Sequence, residues 1–500
     1  MADVERRWQS GTARSWVVGG GTTVRQVETA VSGPSTSSGW PMVDGDGPSV
    51  TTALRAALLG ALVLAFVVLL VLLRQGGFRS WETVWAEDGG IYFQQANDHG
   101  GLAVLLRGYA GYLQLPSRLL GALSTAVPIR DLAVYFAVAG STVSALLAWF
   151  TWWASAGWVT WRPMRLALAA LVVLMPALGF ENTANITNTI WTFTMVAPWA
   201  LVSLRERPAG VVVRSVVAFI AAAASAINVL FLPVALAWVL WRRTRASAIV
   251  AGAFIGGLVL QGLVVINTTD EATLLPAVRE SARLAKLISV RVFAEHALGN
   301  RTITALWSDH SHLLMVVPLL VVLSLLAVLA RHARDRRRLI LASGFFVLAV
   351  LAFALPVWGR GTNAVVMTDG DARAVFPIAG RPVGDPDRIY LPNQLRYSVV
   401  PVLLLSSTIG ILVSALPETT KRRRFGGPVR ALFVAHVVVL VIVGFSVRNG
   451  RSAGPAWRAS LDVTYANQCA ALEGDARVKV VTNRFGTFFP VELRCRELER

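Results

Sequence analysis

The residues of this chain that can do chemistry lie in a few short stretches. The first is "WAEDGGIYFQQA", Trp85 to Ala96, where Glu87 and Asp88 stand side by side just beyond the first long apolar run. A carboxylate partly withdrawn from water has its pKa raised towards the range useful for a general base. Asp88 is the first candidate for that role and Glu87 the second, because the glycine after Asp88 can turn away without a side chain. The structural alternative is a helix cap, with Asp88 accepting a hydrogen bond from the first turn of "GGIYFQQA". A second stretch, "ENTANITNTIW" from Glu181 to Trp191, offers Glu181, Asn185 and Asn188. These can bind hydroxyl groups of a substrate, hold the acidic pair in place, or cap helix ends.

A third stretch, "LPNQLRYSVVP" from Leu391 to Pro401, puts Arg396 and Tyr397 at the entrance of a late apolar run. Arginine suits a phosphate, since its fork can hold two oxygens and it stays charged. Arg118 and Arg360 are further candidates, and for each the alternative is an interfacial side chain reaching to lipid headgroups. In "WSDHSHLL", Asp309, His310 and His312 are too few and too close in sequence to specify a metal site without partners elsewhere, so they read as polar loop residues. No metal ligands are assigned. The cofactor is left unknown: a divalent metal is compatible with such chemistry, but no ligand motif supports one. The chain carries no P-loop, no dinucleotide fingerprint in context and no zinc-finger spacing.

The elements that must position these residues follow from composition. Of 500 residues, 55% are hydrophobic and 15% charged, against about 25% charged in soluble domains. With its repeated long apolar runs, the chain reads as an all-α polytopic membrane protein. A net charge of +18 would point to nucleic acid in a soluble basic domain. Here the arginines gather between apolar runs, as in "WRRTR" at 241–245, "RHARDRRR" at 331–338 and "KRRR" at 421–424. Such clusters set membrane orientation, and nucleic acid is excluded as a partner.

A bilayer core about 30 Å thick needs roughly 20 apolar residues. Candidate spans are 51–73, 131–153, 166–180, 190–204, 211–226, 229–241, 246–266, 313–330, 339–356, 397–416 and 429–447, about eleven transmembrane helices. With the N-terminus inside, every arginine cluster falls on the cytoplasmic side. Trp149, Trp152, Trp153, Trp158 and Trp161 crowd one boundary, as interfacial tryptophans do. The expected organisation is a disordered cytoplasmic tail over 1–50, a transmembrane domain over 51–447 and an extracytoplasmic segment over 448–500, in a multi-pass protein of the plasma membrane. The outer side then holds 74–130, 267–312, 357–396 and the C-terminal tail. Within the first of these, Arg107 to Pro128 reads as an amphipathic surface helix.

The outer tail contains the only two cysteines, Cys469 and Cys495. An exported pair in a short segment is expected to form a disulfide, worth roughly 3–4 kcal/mol by loop closure. Two unrelated free thiols are the alternative. Between them, "RVKVVTNRFGTFFPVEL" alternates like two strands around a turn.

Taken together, these stretches resemble the GT-C glycosyltransferases, integral membrane enzymes that use lipid-linked sugar donors. In that superfamily the first outer loop carries an acidic motif, followed by helices lying on the membrane. "WAEDGGIYFQQA" looks like that motif and "GYLQLPSRLL", Gly111 to Leu120, like the surface helix. "ENTANITNTIW" and the Arg396–Tyr397 helix entrance are similar to patterns in actinobacterial members, and the likeness in architecture covers most of 51–447. It extends to protein mannosyltransferases and arabinosyltransferases.

The resemblance implies transfer of a sugar from a polyprenyl-phosphate donor to a glycan, glycolipid or protein acceptor of the cell envelope. Asp88 or Glu87 would be catalytic. Arg396, Tyr397, Arg118, Glu181, Asn185 and Asn188 would bind substrate, with membrane lipid as the standing partner. Two competing classes remain: a transporter or flippase of lipid-linked sugars, and a non-catalytic membrane scaffold. Transporters place ionisable groups near the bilayer midplane. Here the spans hold only scattered Arg214, Asn228, Gln261 and His436, which favours an enzyme facing outward.

Overall fold

The structure, a computed structural model, describes residues 50–74, 80–101, 103–179, 181–268, 281–360, 396–416, 423–445, 456–470, 474–482 and 489–498. The expected tail over 1–49 and most of the outer segment 357–396 lie outside them. Met1–Leu58 forms a contact unit of its own, represented only by the first turns of one helix, and Leu59–Arg500 forms the other.

The described chain is helical apart from one small hairpin. In order, the helices are α1 (Val50–Leu73), α2 (Gln94–His99), α3 (Leu115–Ser124), α4 (Leu132–Ala154), α5 (Arg162–Leu174), α6 (Thr189–Val202), α7 (Pro208–Ala224) and α8 (Leu232–Arg242). Then come α9 (Arg245–Asn267), α10 (Ser281–Ile288), α11 (Glu295–His332), α12 (Arg336–Arg360), α13 (Arg396–Ser414), α14 (Arg423–Gly444), α15 (Trp457–Thr464) and α16 (Cys495–Leu498). Strands β1 (Arg477–Val480) and β2 (Val491–Arg494) pair antiparallel, Arg477 opposite Arg494 and Val480 opposite Val491.

Leu-, Val- and Ala-rich runs make these helices, and proline in the first turn starts α3, α5, α7 and α8, where a missing N–H costs nothing. Chain reversal between α8 and α9 falls at Arg243, in the left-handed region, followed by Thr244, whose hydroxyl accepts from the Ser247 amide at 3.2 Å.

Helices occur at all the positions the apolar runs mark. Among the described residues, seven spans are long and apolar enough to cross a membrane: Leu54–Leu73, Ile129–Gly157, Arg245–Asn267, Leu313–His332, Arg336–Trp358, Arg396–Ser414 and Gly427–Gly444. Thr189–Val202, Pro208–Ala224 and Ala226–Arg242 are shorter apolar helices. Of the long ones, α13 is 94% buried within the protein and α1 only 6%. Thus α13 is the axis of the bundle and α1 a peripheral helix whose apolar surface needs lipid. Around that axis α12 packs on α13, α7 on α9 and on α6, and α4 on α5 and α6.

Two buried arginines tie helix ends together. Arg74, just past α1, donates to Val173 O (2.9 Å) and Met175 O (3.1 Å) at the end of α5, and to Gly444 O (3.4 Å) and Phe445 O (3.3 Å) after α14. Arg214 on α7 donates to Ala200 O and Leu201 O, both 2.9 Å, which are carbonyls the last turn of α6 leaves unbonded. On the α4 and α6 side, Arg165 and Arg205 lie over the rings of Trp152 and Trp153 at 5.1 and 5.2 Å.

Two expectations are corrected. The segment expected as an outer loop over 267–312 is helical from Ser281 onward, so Asp309, His310 and His312 sit on α11 rather than in a loop; their side chains lie outside the description. The amphipathic stretch 107–128 forms only the ten-residue α3, which turns Ser117 and Arg118 into the protein.

Candidate functional site

Glu87 ends a short approach, Trp85–Ala86, and Asp88 opens a π-helical segment, Asp88–Phe93, that runs on into α2. π-helical turns often accompany functional sites. Their side chains part company at once. Asp88 is fully buried and reaches across to the loop between α5 and α6, accepting from the amides of Ile186 (3.3 Å) and Thr187 (2.9 Å) and from the Thr187 hydroxyl. The cap position of this segment falls on Glu87, whose side chain makes no cap bond, and Asp88 is the segment's first residue. Glu87 is only half-buried and points into a different set of neighbours.

The receiving loop, 181–188, is built by its own polar residues. Asn185 Nδ2 donates to Glu181 O at 2.6 Å, and Asn188 Nδ2 to the same carbonyl at 2.7 Å. Asn185 Oδ1 accepts from the Asn188 amide at 2.9 Å at the head of α6. Ala184 is held at φ +52°, a left-handed conformation that costs a residue with a Cβ roughly 1–2 kcal/mol. Ser117 of α3 donates to Ile186 O and Thr187 O at 2.9 and 3.1 Å. Gly140 of α4 lets this backbone lie against the helix, because a Cβ there would fall 2.2 Å from Asn185 O. Asn185 and Asn188 thus spend their amides on the loop itself. Asn182 differs: its amide is buried, and neither Nδ2 nor Oδ1 has a partner among the described residues.

This scaffold brings Glu181 to Arg396, the first residue of α13, at 3.0 Å. The Arg396 side chain keeps 30% of its surface exposed, against 13% for Glu181. Its guanidinium lies over the Tyr397 ring at 5.7 Å, and that ring meets Trp191 edge-on at 5.2 Å. Glu87 belongs to the same electrostatic cluster. Burial pushes its carboxyl above the ordinary 4.5, while its own backbone and Arg396 pull it back only in part. Burial likewise raises Glu181, with Arg396 opposing and Glu87 adding to the rise. Glu181 pairs directly with Arg396, and the same positive charge acts on Glu87.

Tyrosines complete the surroundings. Tyr109 and Tyr112 pair across a tight turn, N–O distances 2.9 and 3.2 Å, with Ala110 and Gly111 both at positive φ. Burial, and then the charge on Glu87, raises Tyr109 well above its usual value, so its phenol stays protonated. Tyr92 donates to Gln114 Oε1, and Gln114 Nε2 donates to Tyr109 O at 3.2 Å. Gln114 holds that position at φ +57°.

Of the residues expected from sequence, Glu87, Glu181, Arg396 and Tyr397 come together. Asp88, Asn185 and Asn188 support them. Arg118 lies on the far side of these tyrosines, over the Tyr92 ring at 5.3 Å and donating to Gln95 Oε1 and Gly108 O. Arg360's side chain lies outside the description. Tyr109, Tyr112, Gln114 and Thr187 escaped the sequence reading. For the two tyrosines "GYAGY" is the signal, a tight turn between aromatic residues; Gln114 and Thr187 carry none. Among the described residues no three His, Cys, Asp or Glu side chains gather as metal ligands.

The geometry combines a carboxyl of raised pKa, a partly exposed cation, protonated phenols and an aromatic wall. Such a set can take a proton from a hydroxyl while neutralising an anion nearby. No family model and no curated protein matches the chain.

Proposed function

We propose that the chain is a membrane-embedded glycosyltransferase of the GT-C kind, transferring a sugar from a polyprenyl phosphate to a cell-envelope glycan, glycolipid or protein. The observation that carries this reading is the Glu181–Arg396 ion pair at the head of the most buried long helix, with Glu87 near enough for the Arg396 and Glu181 charges to couple with its carboxyl.

Glu87 takes the proton of the acceptor hydroxyl. The hydroxyl oxygen attacks the anomeric carbon, the bond from that carbon to the phosphate oxygen breaks, and polyprenyl phosphate leaves with the electron pair. Arg396 holds the departing phosphate; its Nε has no partner among the described residues, and Glu181 fixes its orientation. Asp88 becomes the positioning residue that pins the first outer loop to 186–187, reversing the order that sequence alone suggests. The four shorter crossings, α5 to α8, complete eleven spans in this reading, with the N-terminus cytoplasmic and the site and C-terminus on the outer face of the plasma membrane. The arginine clusters support that orientation.

The test is transfer from radiolabelled polyprenyl-phosphate sugars to envelope extracts by protein in lipid nanodiscs. Glu87→Gln is expected to lower the turnover about 10²–10⁴-fold, with the melting temperature held. Wild-type turnover in that variant would remove the base from the scheme. Movement of the lipid-linked sugar across the bilayer without transfer would instead identify a flippase.

A further inference from the structure

The C-terminal segment does more than hang from the last helix. The Cys469–Cys495 disulfide staples the turn after α15 to α16, beside the β1–β2 hairpin. This cap is fastened to the membrane domain at two places. At one, Trp457 Nε1 donates to Ile129 O at 2.7 Å, Arg458 pairs with Asp131 at 2.6 Å, and Arg130 pairs with Asp462. These contacts anchor α15 at the entrance of α4.

The other fastening lies on the acidic segment itself. Phe489 packs against Trp85 and Ala86, the two residues before Glu87. A Cβ on Gly90, two residues after Asp88, would fall 2.7 Å from Phe489 O, and one on Gly89 would fall 2.8 Å from Val491 Cγ2. Further along, Gln94 Oε1 accepts from the Glu492 amide at 2.7 Å, and Asp98 pairs with Arg477 at 3.4 Å. The residues around 489–492 therefore touch the chain on both sides of Glu87 and Asp88. The two glycines of "EDGG" are needed because Val84, Val491 of strand β2 and the Phe489 backbone two residues ahead of that strand lie where side chains would stand.

We propose that this disulfide-stapled cap is the outer wall of the site and that Phe489 is a positioning residue for Glu87. Phe489 holds the Trp85–Ala86 approach while its backbone closes over Gly90, so Glu87 is fixed from behind. Asp88 does the same from the bundle side through Ile186 and Thr187. The loop is thus held between two bodies that are far apart in sequence, and neither alone fixes the direction of the Glu87 side chain. The inference rests on the proposed transferase reading for its kinetic consequence, but its structural content stands apart from any activity.

Hydrogen exchange measured by mass spectrometry on the full-length protein in nanodiscs reads that content directly. Phe489→Ala, and separately Gly90→Ala, should raise exchange at least about tenfold in the peptide covering 81–94, with α4 and α13 unchanged. Gly90→Ala leaves every residue of the cap in place, so it answers the objection that Phe489→Ala merely unfolds the cap. Non-reducing mass analysis checks that the disulfide persists in both. In the transfer assay the same variants should lose turnover while KM for the donor holds, and Phe489→Leu should restore most of it. Wild-type exchange over 81–94 in both variants would overturn the inference whatever the activity. Wild-type turnover in Glu87→Gln would remove Glu87 as the base, and absence of any transfer by the unmodified protein would overturn the transferase reading; either result leaves the exchange measurement to decide the cap's role.

Discussion

At the scale of single residues, Glu87 and Asp88 show how neighbours with the same chemistry receive different work. Asp88 is fully buried and spends its oxygens on two backbone amides and a hydroxyl. In Asp88→Asn, one oxygen becomes an NH2 that faces donors. We expect a lower apparent melting temperature corresponding to about 1–3 kcal/mol, measured in nanodiscs, and a turnover that falls in step with it. Glu87→Gln should show the opposite pattern. The raised carboxyls also set a pH dependence. Transfer needs Glu87 ionised, so the rate should climb with pH through a midpoint above 4.5. Removing the Arg396 charge, as in Arg396→Gln, takes away an attraction that lowers that pKa, and should move the midpoint higher still. Stability runs the other way. Folding raises the pKa of Glu87 and Glu181, so the folded state binds more protons, and stability falls as pH rises from 4.5 through the raised values. A pH–rate profile flat from 4 upward would contradict the first argument, and a melting temperature that does not fall above pH 4.5 would contradict the second.

At the scale of elements, helix ends carry the organisation. Arg74 is one guanidinium serving four carbonyls at the ends of α5 and α14. Arg74→Met should cost at least about 2 kcal/mol, because buried carbonyls lose their donors and nothing replaces them. Arg74→Lys should recover only part of that, since a single ammonium cannot span the set. Thermal unfolding of both variants in one detergent checks the order; equal melting points would mean that the carbonyls find other donors. The loop 181–188 is positioned in the same manner. Its asparagines close it onto Glu181 O, and the left-handed Ala184 turns Glu181 towards α13.

At the scale of the whole molecule, seven spans among the described residues are long and apolar enough to cross a membrane, and the shorter helices α5 to α8 govern how many times the chain crosses. With eleven crossings the termini lie on opposite faces. A reporter that is active only outside the cytoplasm, fused after Arg500, should therefore be active, and activity of a strictly cytoplasmic reporter there would reject that count. Mapping 166–241 separately with single cysteines would locate the error, since two crossings lost within that region leave the parity intact.

Sequence by itself determined the helices and their approximate limits, because a run of apolar residues in a bilayer must satisfy its backbone internally and has one good way to do so. It also marked the cysteine pair, which the structure joins, and the stretches from which the site is drawn. Which residues of those stretches face one another was decided only by tertiary structure. Nothing local separates Glu87 from Asp88: adjacent carboxylates on a helical turn point about 100° apart, and the choice depends on what packs on each side. The Asp88 side is filled by 186–187, while Glu87 feels the charge of Arg396. The role of Gly89 and Gly90 was hidden for the same reason. At Gly90 it is set by Phe489, and at Gly89 by Val491 together with the nearby Val84; the first two lie roughly four hundred residues away, and a contact across that distance leaves no periodicity for a sequence pattern to show.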